Sequence, residues 1–142
     1  MKLDIFHEVK IRVRYGETDQ MGYCYYGNYA QYFEVGRVET LRELGMSYFK
    51  LEELGVMLPV LEYNVKYERP AKYDDELTIQ TRITSCSGVR LSFDYTILNE
   101  QKELISTAHT VLVFVSKETK RPIQPPKSFI SLLKSREWAF IR

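Results

Sequence analysis

Apolar and basic side chains alternate over Val9-Lys10-Ile11-Arg12-Val13-Arg14-Tyr15, a period of two that predicts a half-buried strand. The alternation stops at Gly16-Glu17-Thr18-Asp19-Gln20-Met21-Gly22, where turn-forming residues predict a loop. From Asn28 the spacing changes to three and four: Tyr29, Ala30, Phe33, Gly36 or Arg37, Thr40, Leu41 and Leu44 form an apolar stripe with Glu34, Glu39, Arg42 and Glu43 between them. An amphipathic helix of about four to five turns is expected, with Asn28 as N-cap and Gly45 just past its C-terminal end. Gly36 inside that helix costs about 1 kcal/mol against Ala, a cost that close approach of a wrapping sheet would offset. Ser47 to Leu54, closed by Gly55, predicts a second, short helix.

Four further strands follow. Leu61, Tyr63, Val65 and Tyr67 alternate with Glu62, Asn64, Lys66 and Glu68; Leu77, Ile79 and Ile83 share one face of the next strand, and Leu91, Phe93, Tyr95 and Ile97 one face of the third. The fourth, Leu104 to Val115, ends apolar on both faces, as a covered central strand does. Arg69-Pro70-Ala71, Ser87-Gly88 and Asn99-Glu100-Gln101-Lys102 are the breaks, the last short enough for a hairpin. Ser128 to Phe140, beyond three prolines, is expected to form a terminal helix. The expected fold is α+β: a five-stranded, mostly antiparallel sheet curled around one long helix, its remaining apolar surface covered by a partner subunit.

Length and composition narrow the class. A chain of 142 residues fits one domain, 1–142, able to form a core without disulfides or metal. Its 44% hydrophobic content excludes a disordered chain, and no apolar run approaches a membrane span. The first residues lack the apolar core of a signal peptide, so a cytoplasmic location is expected. Cys24 and Cys86 stand far apart with only His7 and His109 beside them, and neither a metal site nor a cofactor is expected. The net charge of +1 divides unevenly: residues 1–116 carry 13 basic and 17 acidic side chains, whereas residues 117–142 carry seven basic and two acidic. A basic tail invites a nucleic-acid reading, but it has few interleaved aromatics and the body is acidic, so no nucleic-acid partner is expected.

Chemistry concentrates in residues 15–32, which hold six of the eleven tyrosines: Tyr15, Tyr23, Tyr25, Tyr26, Tyr29 and Tyr32. Tyrosines cluster in cores and interfaces, and equally in pocket walls that keep water from a reacting group. Asp19 lies just ahead of a helix N-terminus, where unpaired N–H groups and the positive dipole end polarise a carbonyl. A carboxylate and an oxyanion site on one short segment are two parts of an acyl-transfer apparatus.

The run Tyr15-Gly16-Glu17-Thr18-Asp19-Gln20-Met21-Gly22-Tyr23-Cys24-Tyr25-Tyr26-Gly27-Asn28-Tyr29, then Tyr32-Phe33-Glu34 and Arg37, resembles the signature of hotdog-fold acyl-CoA thioesterases of the 4-hydroxybenzoyl-CoA thioesterase type. Arg69-Pro70-Ala71-Lys72-Tyr73-Asp74-Asp75-Glu76-Leu77 is similar to that family's link between its second and third strands. The resemblance implies that Asp19 is the catalytic aspartate, as nucleophile on the thioester carbonyl or as general base for water. It implies that the backbone N–H of Tyr26 polarises the carbonyl. Many relatives carry His where this chain has Tyr26; because that role belongs to the backbone, hydrolysis is still implied. Gly22, Tyr25, Asn28 and Tyr29 are the implied substrate-facing set, and Arg90 and Arg121 are candidates for the phosphates of coenzyme A. The implied assembly is a homodimer or homotetramer with sites at subunit contacts. Acyl-carrier-protein thioesters and noncatalytic acyl binding are the alternatives, and the basic tail has a reading as a lure for coenzyme A phosphates.

Other candidates are weaker. Cys24 with His7 or His109 would make a Cys–His nucleophile, but no local signature surrounds either thiol. Glu34, three residues before Arg37, is expected to form an ion pair with it. Asp74-Asp75-Glu76 is expected to form a turn rather than a cation site.

Overall fold

The computed structural model describes residues 1–136 and 140–141 of the chain. Strand β1 (Lys2–Arg12) leads through an irregular loop to helix α1 (Tyr29–Leu44) and the short α2 (Tyr48–Glu53). There follow β2 (Val56–Met57), β3 (Val60–Tyr67), β4 (Glu76–Ser87), β5 (Arg90–Leu98), β6 (Leu104–Val113), β7 (Val115–Ser116), α3 (Lys127–Ser135) and β8 (Phe140–Ile141). The main sheet runs β3-β6-β5-β4-β1-β8, antiparallel throughout except where β8 meets β1 in parallel. Its five long strands and α1 make the expected hotdog architecture. Two elements go beyond it: the two-residue β8, and a separate β2–β7 pairing.

The alternation read from Val9 begins earlier, since Leu3, Ile5 and His7 are buried in the same row. Across the sheet the register aligns Ile5, Ile83, Phe93 and Thr110, all buried, with Tyr63 on β3. The α1 residues Phe33 and Leu41 are likewise fully buried against this sheet. The helix packs on β1 and β4 and less on β5, off the sheet's centre. It therefore leaves the β3 side of its groove to the rings of Tyr63 and Tyr67.

Gly45 ends α1 with φ 109°, its N–H donating to the carbonyls of Leu41 and Arg42 at 3.1 Å each. Ser47 caps α2 by accepting the Lys50 N–H at 3.2 Å. Gly36 is the point of closest approach. A Cβ there would lie 2.5 Å from Thr81 Oγ1 and 2.9 Å from Ile79 Cγ2, so the close approach is to β4 side chains, not backbone.

Two expectations at element ends change. Asn28 occupies the N-cap position of α1, but its side chain makes no cap hydrogen bond and is used elsewhere. The terminal helix stops at Ser135, and Phe140 lies in a strand; residues 137–139 fall outside the described residues. Among the described residues no helix is long and apolar enough to cross a membrane.

Candidate active site

The loop between β1 and α1 is fixed by its own main chain. Asp19 N–H donates to the Tyr23 carbonyl at 2.8 Å, and Gly22 N–H to the Asp19 carbonyl at 3.0 Å. Asp19 Oδ1 accepts the N–H groups of Met21 at 2.9 Å and Tyr23 at 3.3 Å, the local bonding that makes Asp a turn former. Oδ2 receives no protein donor among the described residues, and the side chain is half-buried. Gly22 has φ 79°, and nothing lies within 4 Å of where its Cβ would be. Its requirement is the left-handed conformation of the turn, not space.

On the other side of the loop, Tyr26–Asn28 forms a 3₁₀ turn that runs directly into α1. Among the described residues no backbone carbonyl accepts the N–H of Tyr26 or Gly27, as expected at the start of a helical run. The cleft between these parts measures about 310 Å³. Asp19, Met21, Tyr23 and Cys24 line it from the loop, and Tyr26 and Tyr29 from the helical side. The end of β3 and the chain beyond it, Tyr67 to Pro70, close the third side.

Packing explains how that third wall is held. Cys24 N–H donates to the Ala71 carbonyl at 2.7 Å, and Ala71 N–H donates to the Tyr29 hydroxyl at 3.3 Å. The rings of Tyr29 and Tyr67 meet edge to face at 5.2 Å, and those of Tyr26 and Tyr67 at 6.3 Å. Burial pushes the Tyr29 hydroxyl up to about 12, so it remains a neutral phenol. The tyrosine cluster thus divides by function. Tyr29 and Tyr32 are core residues, Tyr26 and Tyr23 face the cleft, and Tyr15 packs outside it against Tyr73.

Of the sequence candidates, Asp19, Tyr26 and Tyr29 come together in this cleft, with Gly22 at its turn. Tyr25 does not line it; its ring lies 4.7 Å from that of Tyr26 and covers Gly27. Asn28 lies behind it, its Nδ2 donating to the Glu17 carbonyl at 2.8 Å. Arg90 borders a different hollow of about 460 Å³ at the far end of β3, with Lys120 beside it and Val60, Leu61 and Val113 among its apolar walls. Arg121 lines neither and is exposed, its carbonyl accepting the Ser116 N–H at 2.8 Å. Sequence reading missed Tyr67, Glu68, Arg69 and Pro70 as cleft residues. The break in alternation at Arg69-Pro70 marked a strand end there, but only the fold sets that end against the start of α1.

Arg37 departs from one of its two expectations. It lies four residues after Phe33 on the buried stripe, 8% exposed, and its Nε donates to the Tyr48 hydroxyl at 3.0 Å. Glu34 is exposed and no ion pair joins the two, so of the two readings of Arg37 it is the place on the apolar stripe that holds.

Cys24 is a poor nucleophile. It is 6% exposed, with Sγ 3.3 Å from the Tyr32 hydroxyl and 3.6 Å from the Tyr25 carbonyl, and burial pushes its thiol above the ordinary range. Neither histidine joins it: His109 pairs with Asp94 at 2.6 Å, and His7 is buried in β1. Iodoacetamide at neutral pH is expected to leave at least about 80% of thioesterase turnover, because the thiolate is the reactive form. Rapid loss of turnover, with adduct mapped to Cys24 by mass spectrometry, would reverse this reading.

A family model described as the thioesterase-like superfamily matches residues 13–133, which span the loop, α1 and every long strand after it. The chain belongs to this superfamily. That membership, together with the curated relatives that follow, makes this thioesterase-like chain a thioester hydrolase. It is 36% identical over 124 residues to the acyl-CoA thioester hydrolase YbgC of Escherichia coli O157:H7, covering 87% of this chain and 92% of that protein. YneP of Bacillus subtilis, which carries a provisional acyl-CoA thioesterase name, is 38% identical over 120 residues, covering 84% and 87% of the two chains. Among solved structures, the DHNA-CoA thioesterase of Staphylococcus aureus superposes with a TM-score of 0.86 at 32% identity, over 97% of this thioesterase-like chain and 99% of that one.

Proposed function

We propose that this chain hydrolyses acyl-CoA thioesters to a free carboxylic acid and coenzyme A, with Asp19 and the Tyr26 N–H as the reacting pair. The observation that carries the reading is that, among the described residues, Asp19, whose Oδ2 has no protein donor, and Tyr26, whose main-chain N–H no backbone carbonyl accepts, line the same cleft. A thioester lacks much of the resonance that protects an oxygen ester, so one positioned carboxylate and one oxyanion donor suffice without a Ser-His-Asp set. The Tyr26 N–H, at the positive end of the helical run, donates a hydrogen bond to the carbonyl oxygen as negative charge grows on it. In one route Asp19 Oδ2 attacks the carbonyl carbon, expelling the thiolate and giving an acyl-aspartyl anhydride that water then cleaves to free acid and the Asp19 carboxylate. In the other it takes a proton from a water that attacks the carbonyl, the C–S bond breaking and the proton passing to the leaving thiolate.

The reading includes a homo-oligomer, dimer or tetramer. Among the described residues edge strand β3 pairs only with β6, and its Val60, Leu61, Tyr63 and Tyr67 are exposed. A second copy laid along this edge would bury that apolar row. Since Tyr67 also lines the cleft, such a contact would border the site. Arg90, with Arg121 and the basic tail, remains the proposed attraction for coenzyme A phosphates.

A panel of short, medium, long and aromatic acyl-CoA substrates, followed by thiol release with a disulfide reporter, tests the function. Turnover of at least one member well above buffer is expected. Turnover only of acyl-carrier-protein thioesters would move the substrate to that carrier, and binding without turnover of either would leave a noncatalytic acyl-binding protein.

A further inference from the structure

One half-buried carboxylate in this segment does no chemistry in the reading above. Glu17, two residues before Asp19, has only 11% of its side chain exposed and sits at the centre of a set of polar contacts. Its Oε1 accepts the Arg14 N–H at 2.9 Å and the Tyr32 hydroxyl at 2.9 Å. Its Oε2 accepts Arg14 Nε at 3.3 Å and Nη2 at 3.1 Å. Its carbonyl takes the Tyr25 N–H at 2.8 Å and the Asn28 side-chain amide at 2.8 Å.

These contacts join pieces that the chemistry needs at fixed spacing. Arg14 is the chain leaving β1, Tyr32 is part of the buried face of α1, and Tyr25 immediately precedes Tyr26, the proposed oxyanion donor. Asp19 hangs two residues beyond the clamp. A carboxylate and an oxyanion donor deliver their full effect only when held at reacting distance, and a misplacement of about 1 Å costs on the order of a hundredfold. Burial works against the charge on Glu17, but the Arg14 N–H, the Tyr32 hydroxyl and the Arg14 guanidinium outweigh it and hold the carboxyl below its ordinary value. The acceptor is therefore ionised at neutral pH. From this geometry we infer that Glu17 and Tyr32 are positioning residues, which lock the spacing between the Asp19 carboxylate and the Tyr26 amide through the Tyr32 O–H to Glu17 Oε1 bond.

The inference rests on the assignment of Asp19 and Tyr26 and fails separately from it. Tyr32→Phe deletes one oxygen from a buried ring and Glu17→Ala deletes the acceptor. Each is expected to lower kcat roughly 30-fold or more while KM for the best acyl-CoA of the panel moves less than about threefold. The double variant is expected to be no slower than the worse single one, since both remove the same bond. Glu17→Gln keeps one oxygen able to accept both the Arg14 N–H and the Tyr32 hydroxyl, and loses only an exposed guanidinium contact of small worth. It is expected to recover kcat to within about fivefold of the unaltered chain. A general loss of folding would instead lower the active fraction in all variants alike, and is followed by circular dichroism and active-site titration. The inference is overturned if folded Tyr32→Phe keeps full kcat, if the two single losses multiply in the double variant, or if Glu17→Gln is as slow as Glu17→Ala. If Asp19→Asn is fully active as well, it is the assignment of the reacting pair that has failed.

Discussion

Asp19→Asn is expected to lower kcat by roughly a thousandfold or more, with little change in stability or in affinity for coenzyme A. The substitution is close to isosteric, and the amide oxygen still accepts the Met21 and Tyr23 N–H groups that Oδ1 accepts now. The turn, its Gly22 and the wall beyond it are therefore retained. What disappears is the negative oxygen, which in either chemical route must attack the carbonyl or receive the proton of water. Thiol-release kinetics measure the loss, and calorimetric titration with coenzyme A measures retained binding. If the purified variant turns over at the original rate, Asp19 is a turn residue and the reacting carboxylate lies elsewhere.

Gly36→Ala is expected to destabilise the fold by about 1–3 kcal/mol, lowering the melting temperature by roughly 3–10 °C, although Ala is the better helix former by about 1 kcal/mol. The new methyl would sit 2.5 Å from Thr81 Oγ1 and 2.9 Å from Ile79 Cγ2, inside contact distance for both. Ile79 and Thr81 are fully buried on a central strand, so neither has room to move without shifting the sheet. Thr81 Oγ1 makes no hydrogen bond among the described residues, so Thr81→Ala in the same chain forfeits no bond and is expected to return part of the loss. A Gly36→Ala protein that melts at or above the original temperature would mean that α1 and β4 are less tightly apposed.

Much of this was legible in the sequence, and what was hidden was hidden for physical reasons. Strands β3, β4 and β5, the second half of β1 and helix α1 follow from periodicity, β6 follows from an end apolar on both faces, and the motif around Asp19 and Tyr26 lies within one continuous segment. The first half of β1 escaped because His7 stands in its inward row, where an apolar residue would have continued the alternation. The pairs β2–β7 and β1–β8 escaped because two residues have no period. Arg37 had two readings, as a member of the apolar stripe and as the ion-pair partner of Glu34, and its place on the Tyr29–Phe33 stripe decided between them. Glu17 looked like part of a turn. Its weight comes from Tyr32, fifteen residues later, and only the folding of α1 against the loop brings the two together.

The electrophilic half of the proposed site is main chain, while the ring that it carries is exposed. A scan that trims side chains one by one would pass over this group without registering it. The same separation leaves position 26 open to drift. Its side chain can be exchanged over generations to suit a different acyl group, while the amide that would do the work is inherited with the backbone. In the proposed site, substrate range and chemistry would thus answer to different parts of a single residue.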